Sequence, residues 1–208
     1  MKVLIGLVLW FSCLASYAHP ALQPSGSHLW IDSKEAQPRL ILEAKIHDQR
    51  YESEQGITMI WWNLTLTYKN LGTEPVLLYK KSSLIYRSMI SKSLKAALKG
   101  KYEQDKSSHF ISADAMRAAG FLDRSPETSD FVTLKPGESH SVEAEDGVQR
   151  KRNPDDNSGL APGQYFLEVK VATWYYWDDP KQYREKWRTS GYLWWENIKS
   201  EPMLFTLQ

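Results

Sequence analysis

The strongest pattern lies in GITMIWWNLTLTYKNLG (56–72), where Ile60, Trp62, Leu64, Leu66 and Tyr68 alternate with Trp61, Asn63, Thr65, Thr67 and Lys69. A period of two places the first set on one face of a strand and the second on the other. The segment therefore predicts a half-buried β-strand with Trp61 on its outer face. LILEAKI (40–46), VLLY (76–79), SLIYRSMI (83–90) and MLFTL (203–207) read as further strands, the last with Met203, Phe205 and Leu207 on one face. In YFLEVKVATWYY (165–176), Tyr165, Leu167, Val169 and Val171 alternate with Phe166, Glu168, Lys170 and Ala172. If the first set points inward, continued alternation turns Trp174 and Tyr176 outward.

Between these runs the punctuation is mixed. NLGTEP (70–75) is a turn by composition. LKPGES (134–139) and LAPGQY (160–165) each carry Pro-Gly, the signature of a type II turn, in which Pro presets φ and Gly takes the positive φ that follows. SLKAALKG (93–100) and SADAMRAAG (112–120) open with Ser and close with Gly, with apolar residues at helical spacing between, as in Leu94, Ala97 and Leu98. They predict short helices in a long insertion. Asp179 is a suitable N-cap, Pro180 a suitable first helical residue and Gly191 a suitable C′ residue, so 180–190 predicts a helix of about three turns. It interrupts the hairpin between the last two long strands, and Tyr183 and Trp187 share one of its faces.

About seven short strands with alternating faces and Pro-Gly turns predict a mainly β fold, an antiparallel immunoglobulin-like β-sandwich over 39–208 with short helical insertions near 93–120 and 180–190. LAPGQY resembles the turn-plus-tyrosine element before a late strand in bacterial secreted immunoglobulin-like modules. By that resemblance Tyr165 is similar to the tyrosine of a tyrosine corner. The likeness covers about half of 19–208, lacks the antibody-type disulfide, and is one of fold.

The N-terminus adds a compartment. MKVLIGLVLWFSCLASYA (1–18) has Lys2, an apolar run from Val3 to Leu14, and Ser16 and Ala18 at signal-peptidase spacing. It reads as a secretory signal peptide cleaved before His19. Trp10, Phe11 and Ser12 do not suit lipid attachment at Cys13. Residues 19–38, with Pro20, Pro24 and Pro38, read as an extended arm in which HLWI (28–31) docks as a short edge strand. The expected location is secreted or periplasmic, with no stable membrane insertion after cleavage. The leader carries one base and no acid, so the remaining 190 residues balance 25 basic against 25 acidic side chains. That balance argues against a nucleic-acid partner. The single Cys lies in the leader, so the processed chain relies on a hydrophobic core without disulfides.

Candidate chemistry concentrates in TWYYWDDPKQYREKWRTSGYLWW (173–195), where nine of 23 residues are Trp or Tyr. In its last strand Tyr192 and Trp194 fall on one face, and Leu193 and Trp195 on the other. One reading folds the helix back so that Tyr183 and Trp187 cover Trp174, Tyr176 and Trp194 as a satellite core. The other leaves part of the cluster exposed, and makes Trp61, Trp174, Tyr176, Tyr183, Trp187 and Trp194 the ligand-binding candidates. Flat Trp and Tyr faces suit a protein or a glycan.

Catalytic signatures are missing. Ser139 and His140 are neighbours on a predicted strand and point to opposite faces, so they form no nucleophile–base pair. There is no G-x-S-x-G, H-E-x-x-H or phosphate-binding glycine loop. NPDDNSG (153–159) lacks the sixth-position Gly and twelfth-position acid of a calcium loop, and reads as a solvated turn. The neighbouring EAEDGVQRKR (143–152) reads as a loop face whose charges cancel. His19 at a processed N-terminus resembles the copper brace of secreted polysaccharide monooxygenases, which takes a second His. His28, His47, His109 and His140 are available without a diagnostic spacing. The expectation is a non-enzymatic binding module with no cofactor that uses its aromatic end. The alternatives are an inhibitor or assembly factor for another secreted protein, and a copper enzyme built on His19.

Overall fold

The computed structural model describes residues 39–81, 86–107, 124–152, 159–176 and 178–208. In chain order its elements are β1 (Leu40–Glu54), β2 (Ile57–Asn70), β3 (Val76–Tyr79), β4 (Tyr86–Ser91), α1 (Leu94–Leu98) and β5 (Gln104–Ser107). A 3-10 turn (Thr128–Asp130) then leads into β6 (Phe131–Leu134), β7 (Ser139–Gln149), β8 (Gly163–Val171), α2 (Pro180–Lys186), β9 (Tyr192–Leu193), β10 (Ile198–Lys199) and β11 (Met203–Leu207).

The first sheet runs β1-β2-β7 and is antiparallel throughout. β1 turns into β2 through Gln55 and Gly56, both at positive φ (48° and 75°), the geometry of a primed two-residue hairpin turn. The second sheet centres on β8, with β4 and then β5 on one side and β10 and β11 along the other. A small third sheet, β6-β3-β9, pairs β3 antiparallel to β6 and parallel to β9. The mainly β, antiparallel class with short helices is thus as expected.

The inner face of β2 is as the alternation predicted, with Ile60, Trp62, Leu64, Leu66 and Tyr68 all at 0% exposure. They pack with Tyr165, Leu167, Val169 and Val171 of β8 and Phe205 and Leu207 of β11 in the main core. The Tyr165 hydroxyl donates to the Ala161 carbonyl, four residues earlier, at 2.9 Å. All four residues of β3 are buried, because the third sheet has a core on each side. Val76 and Leu78 join the main core, while Leu77 and Tyr79 join a second, aromatic one.

Several expectations need correction. β1 runs eight residues past Ile46, through a stretch whose side chains alternate no apolar face. The charged run at 143–152 is largely strand: 143–149 belong to β7, a sheet edge, where charge discourages further pairing. β5 pairs with β4 inside the segment expected to be helical. α1 forms as predicted, the Ala96 amide donating to Ser93 Oγ at 3.2 Å, yet Leu94 and Leu98 are 45% and 66% exposed and only Ala97 is buried. The turn at Lys135–Glu138 forms with Gly137 at φ 83°, but Gly163 has φ 147° and opens β8 instead of closing a type II turn. α2 ends at Lys186, earlier than expected, and Gly191 is no helix cap. A Cβ on Gly191 would lie 2.9 Å from the Pro75 carbonyl oxygen, so glycine is needed there for β9 to approach β3. Residues 1–38, the segment 112–120 expected to be helical, and 153–158 lie outside the described residues, and with them the expected leader and arm, His19, His28 and His109. Among the described residues no helix is long and apolar enough to cross a membrane.

Candidate functional site

The segment after β8 does not continue as a strand. β8 stops at Val171, so the parity that turned Tyr176 outward no longer applies, and Tyr175 and Tyr176 are both buried. The chain then turns into α2, whose N-terminus is capped by Asp179 accepting from the Lys181 amide at 3.0 Å. α2 folds back and seats Tyr183 and Trp187, 4.9 Å apart, against Phe131 and Trp174. The result is a second hydrophobic core of Leu77, Tyr79, Phe131, Tyr175, Tyr176, Tyr183, Trp187 and Leu193, flanked by Trp174 and Trp195.

Hydrogen bonds tie the polar tips of these rings to two aspartates. Tyr183 donates to Asp178 Oδ2 at 2.6 Å and Trp174 Nε1 donates to the Asp178 carbonyl at 3.0 Å. Tyr176 donates to Asp130 Oδ2 at 2.8 Å, and Asp130 also receives both Arg124 Nη atoms, at 2.6 and 2.9 Å, and the Glu127 amide. Burial alone raises the Asp130 pKa, but these donors outweigh it and hold the carboxyl down at about 2. Burial, then the bond to Asp130, pushes the Tyr176 hydroxyl up. Tyr183 is raised chiefly by its bond to Asp178. These tyrosines stay neutral donors.

At the surface of this core lies a ladder of rings. The Arg184 guanidinium sits 3.4 Å from the Trp195 ring centroid and 4.0 Å from that of Tyr192, and Tyr192 lies 6.3 Å from Trp194. Arg184 also pairs with Glu196 at 3.0 Å and donates to the Leu193 carbonyl at 3.3 Å, capping the open edge of β9. Tyr192, Trp194, Trp195 and Arg184 are all partly exposed.

The six aromatics singled out from sequence divide three ways. Tyr176, Tyr183 and Trp187, at 7%, 7% and 6% exposure, are inside the second core together with half-buried Trp174. Trp194 packs against the main core beside Tyr192, its Nε1 donating to the Glu196 carbonyl at 2.9 Å. Trp61 stands apart, on the outer face of the first sheet. Sequence patterning places Tyr192 and Trp195 only on strand faces and does not single out Arg184, whose one signal is its place after Tyr183 on a helix flanked by aromatics.

His140 Nε2 lies 3.3 Å from the Lys80 carbonyl. Among the described residues no three of His, Cys, Asp and Glu come together to hold a metal ion. No protein-family model and no curated protein matches the chain. The X-ray structure of Northeast Structural Genomics Consortium target SoR45 is similar to this chain at 12% identity and a TM-score of 0.34, over 82% of this chain and 86% of its own.

Proposed function

We propose that this chain is a non-enzymatic binding module, acting in a secreted or periplasmic setting, that engages another protein through the Trp195–Arg184–Tyr192–Trp194 ladder. The observation that carries the reading is the stacking of Arg184 between two partly exposed rings, beside a third, on a rigid aromatic core. Trp, Tyr and Arg supply most hot spots in protein interfaces, because they offer large rigid area with polar tips. Trp195 packs against the second core and Trp194 against the main one, so little side-chain freedom is lost on binding. Arg184 brings directional donors and Glu196 an acceptor, which suits a polar protein surface more than a neutral sugar.

The test immobilises the processed protein and captures partners from the extracytoplasmic fraction of the source cells. Trp195→Ala and Arg184→Ala, each verified as folded, are expected to lose the captured protein by at least about tenfold in affinity, the loss expected at a hot spot. Trp61→Ala, on a different face, is expected to retain it. Equal capture by all three variants overturns the proposal, as does displacement of the partner by soluble neutral glycan alone.

A further inference from the structure

The outer face of the first sheet carries an open cleft that the aromatic end does not use. It has a volume of about 670 Å³ and is lined by His47, Asp48, Asn63, Thr65, Glu143 and Glu145 together with Ala144. That volume is within the roughly 300–1,000 Å³ typical of small-molecule sites.

A bulge opens it. Ile46 pairs with Leu64 and Gln49 with Trp62, so His47 and Asp48 together oppose the single residue Asn63. The extra residue displaces both side chains from the ladder, beside the row in which Thr65 faces Glu143 and Asn63 faces Glu145. His47 Nε2 lies 2.5 Å from Thr65 Oγ1, and the Thr65 hydroxyl donates to Glu143 Oε1 at 2.9 Å. The Thr65 proton being committed to Glu143, His47 Nε2 is the donor to Thr65.

Trp61 borders this cleft two residues along β2, about 7 Å away on the same face. It stands opposite Gly147 of β7. A Cβ there would lie 2.6 and 2.9 Å from Cε3 and Cδ2 of the indole, so only glycine lets the fused ring rest on the strand. The Arg50 guanidinium lies 5.9 Å from the Trp61 ring centroid and also pairs with Glu145.

We infer that this face binds a neutral saccharide chain, one ring against Trp61 and the next hydrogen-bonded in the cleft by Asn63, Asp48 and Glu143. The lining is rich in acceptors, which suits a ligand with many hydroxyl donors. Asp48 and Glu143 disfavour phosphates and uronic acids by like-charge repulsion. The half-buried indole suits the flat C–H face of a pyranose. The surface lies on a different sheet face from the ring ladder, so this inference stands independently of the proposed protein partner.

The experiment titrates the isotope-labelled protein with maltohexaose, cellohexaose, chitohexaose and hexagalacturonate, following backbone amides by NMR. At least one neutral hexasaccharide is expected to shift the amides of His47, Asp48, Asn63, Thr65 and Glu143, while hexagalacturonate does not. Trp61→Ala and Asn63→Ala, each checked for unchanged melting, are expected to weaken binding at least about tenfold, and Trp195→Ala to leave it unchanged. If Trp61→Ala fails to fold, Asn63→Ala carries the test. No shift with any neutral hexasaccharide, tighter binding of hexagalacturonate, or wild-type affinity in the folded variants overturns the inference.

Discussion

Trp62→Ala is expected to lower the unfolding free energy by about 3–5 kcal/mol, among the largest single losses this fold can show. Trp62 is wholly buried on the inner face of β2, and its ring lies 5.6 Å from Phe205 on β11. The side chain thus couples the first sheet to the second, and its removal leaves a cavity that strands on both sides cannot close. A domain of this size has a total of about 5–15 kcal/mol, so the variant approaches the unfolding threshold at ordinary temperature. One detail separates volume from polarity. Trp62 Nε1 is buried and finds no acceptor among the described residues. A buried donor without a partner costs about 1–3 kcal/mol. Trp62→Phe keeps most of the apolar volume and removes that donor, so its net loss is expected to stay below about 1.5 kcal/mol. Urea denaturation of both variants, read as midpoints at constant slope, measures the difference. Equal losses in the two would mean that shape complementarity at the indole outweighs both terms.

Trp62 was legible because, from Ile60 onward, β2 obeys the rule that makes strands legible: buried residues alternate with partly exposed ones. β11 was legible for the same reason, β3 as a short continuous apolar run, and α1 and the start of α2 because their caps are local chemistry, a Ser or Asp side chain meeting an amide two or three residues ahead. The far half of β1 and the whole of β5 carry no such pattern, since Glu52, Ser53 and Glu54 are exposed and β5 is an edge. Their strand character comes from backbone pairing with the adjacent strand, β2 across a two-residue turn and β4 across α1, which side-chain periodicity does not report.

The aromatic end illustrates the same limit. The composition of 173–195 marked a cluster, but alternation assigned Tyr176 to the outside, and that rule ends where the ladder ends, at Val171. Beyond it the direction of each ring is set by α2 docking on β6 and β3, a tertiary contact. The stack on Arg184 depends on bringing α2 beside β9, and the cleft by His47 depends on a register shift of one residue in β1. Neither leaves a local trace in composition.

Asp130→Ala is expected to cost about 1–3 kcal/mol, the range for leaving a buried polar group, here the Tyr176 hydroxyl, without its acceptor. The loss should fall on the aromatic end. Asp130 closes the 3-10 turn immediately before Phe131, and its carboxylate accepts from Tyr176, from Arg124 and from the Glu127 amide. Without it the Tyr176 hydroxyl, on a residue only 7% exposed, loses its acceptor. The turn that sets β6 against β3 loses its capping box as well.

Acid adds an independent reading. Asp130 titrates near 2 in the fold against an ordinary 3.8, so the folded state favours its charged form. A depressed carboxyl contributes stability that is fully present above the unfolded value and is lost as pH falls through the folded one. With solvent screening at its exposed edge, that contribution is about 1–2 kcal/mol, lost between about pH 4 and pH 2. Asp130→Asn keeps an acceptor for Tyr176 and removes the titration, so its stability should fall less steeply than wild type across that window. Near-ultraviolet circular dichroism, which reports the packing of the Trp and Tyr rings, followed from pH 5 to pH 2 in wild type, Asp130→Asn and Asp130→Ala, measures both effects. An acid slope in Asp130→Asn identical to that of wild type would assign the linkage to other carboxylates and remove Asp130 as the electrostatic anchor of the second core.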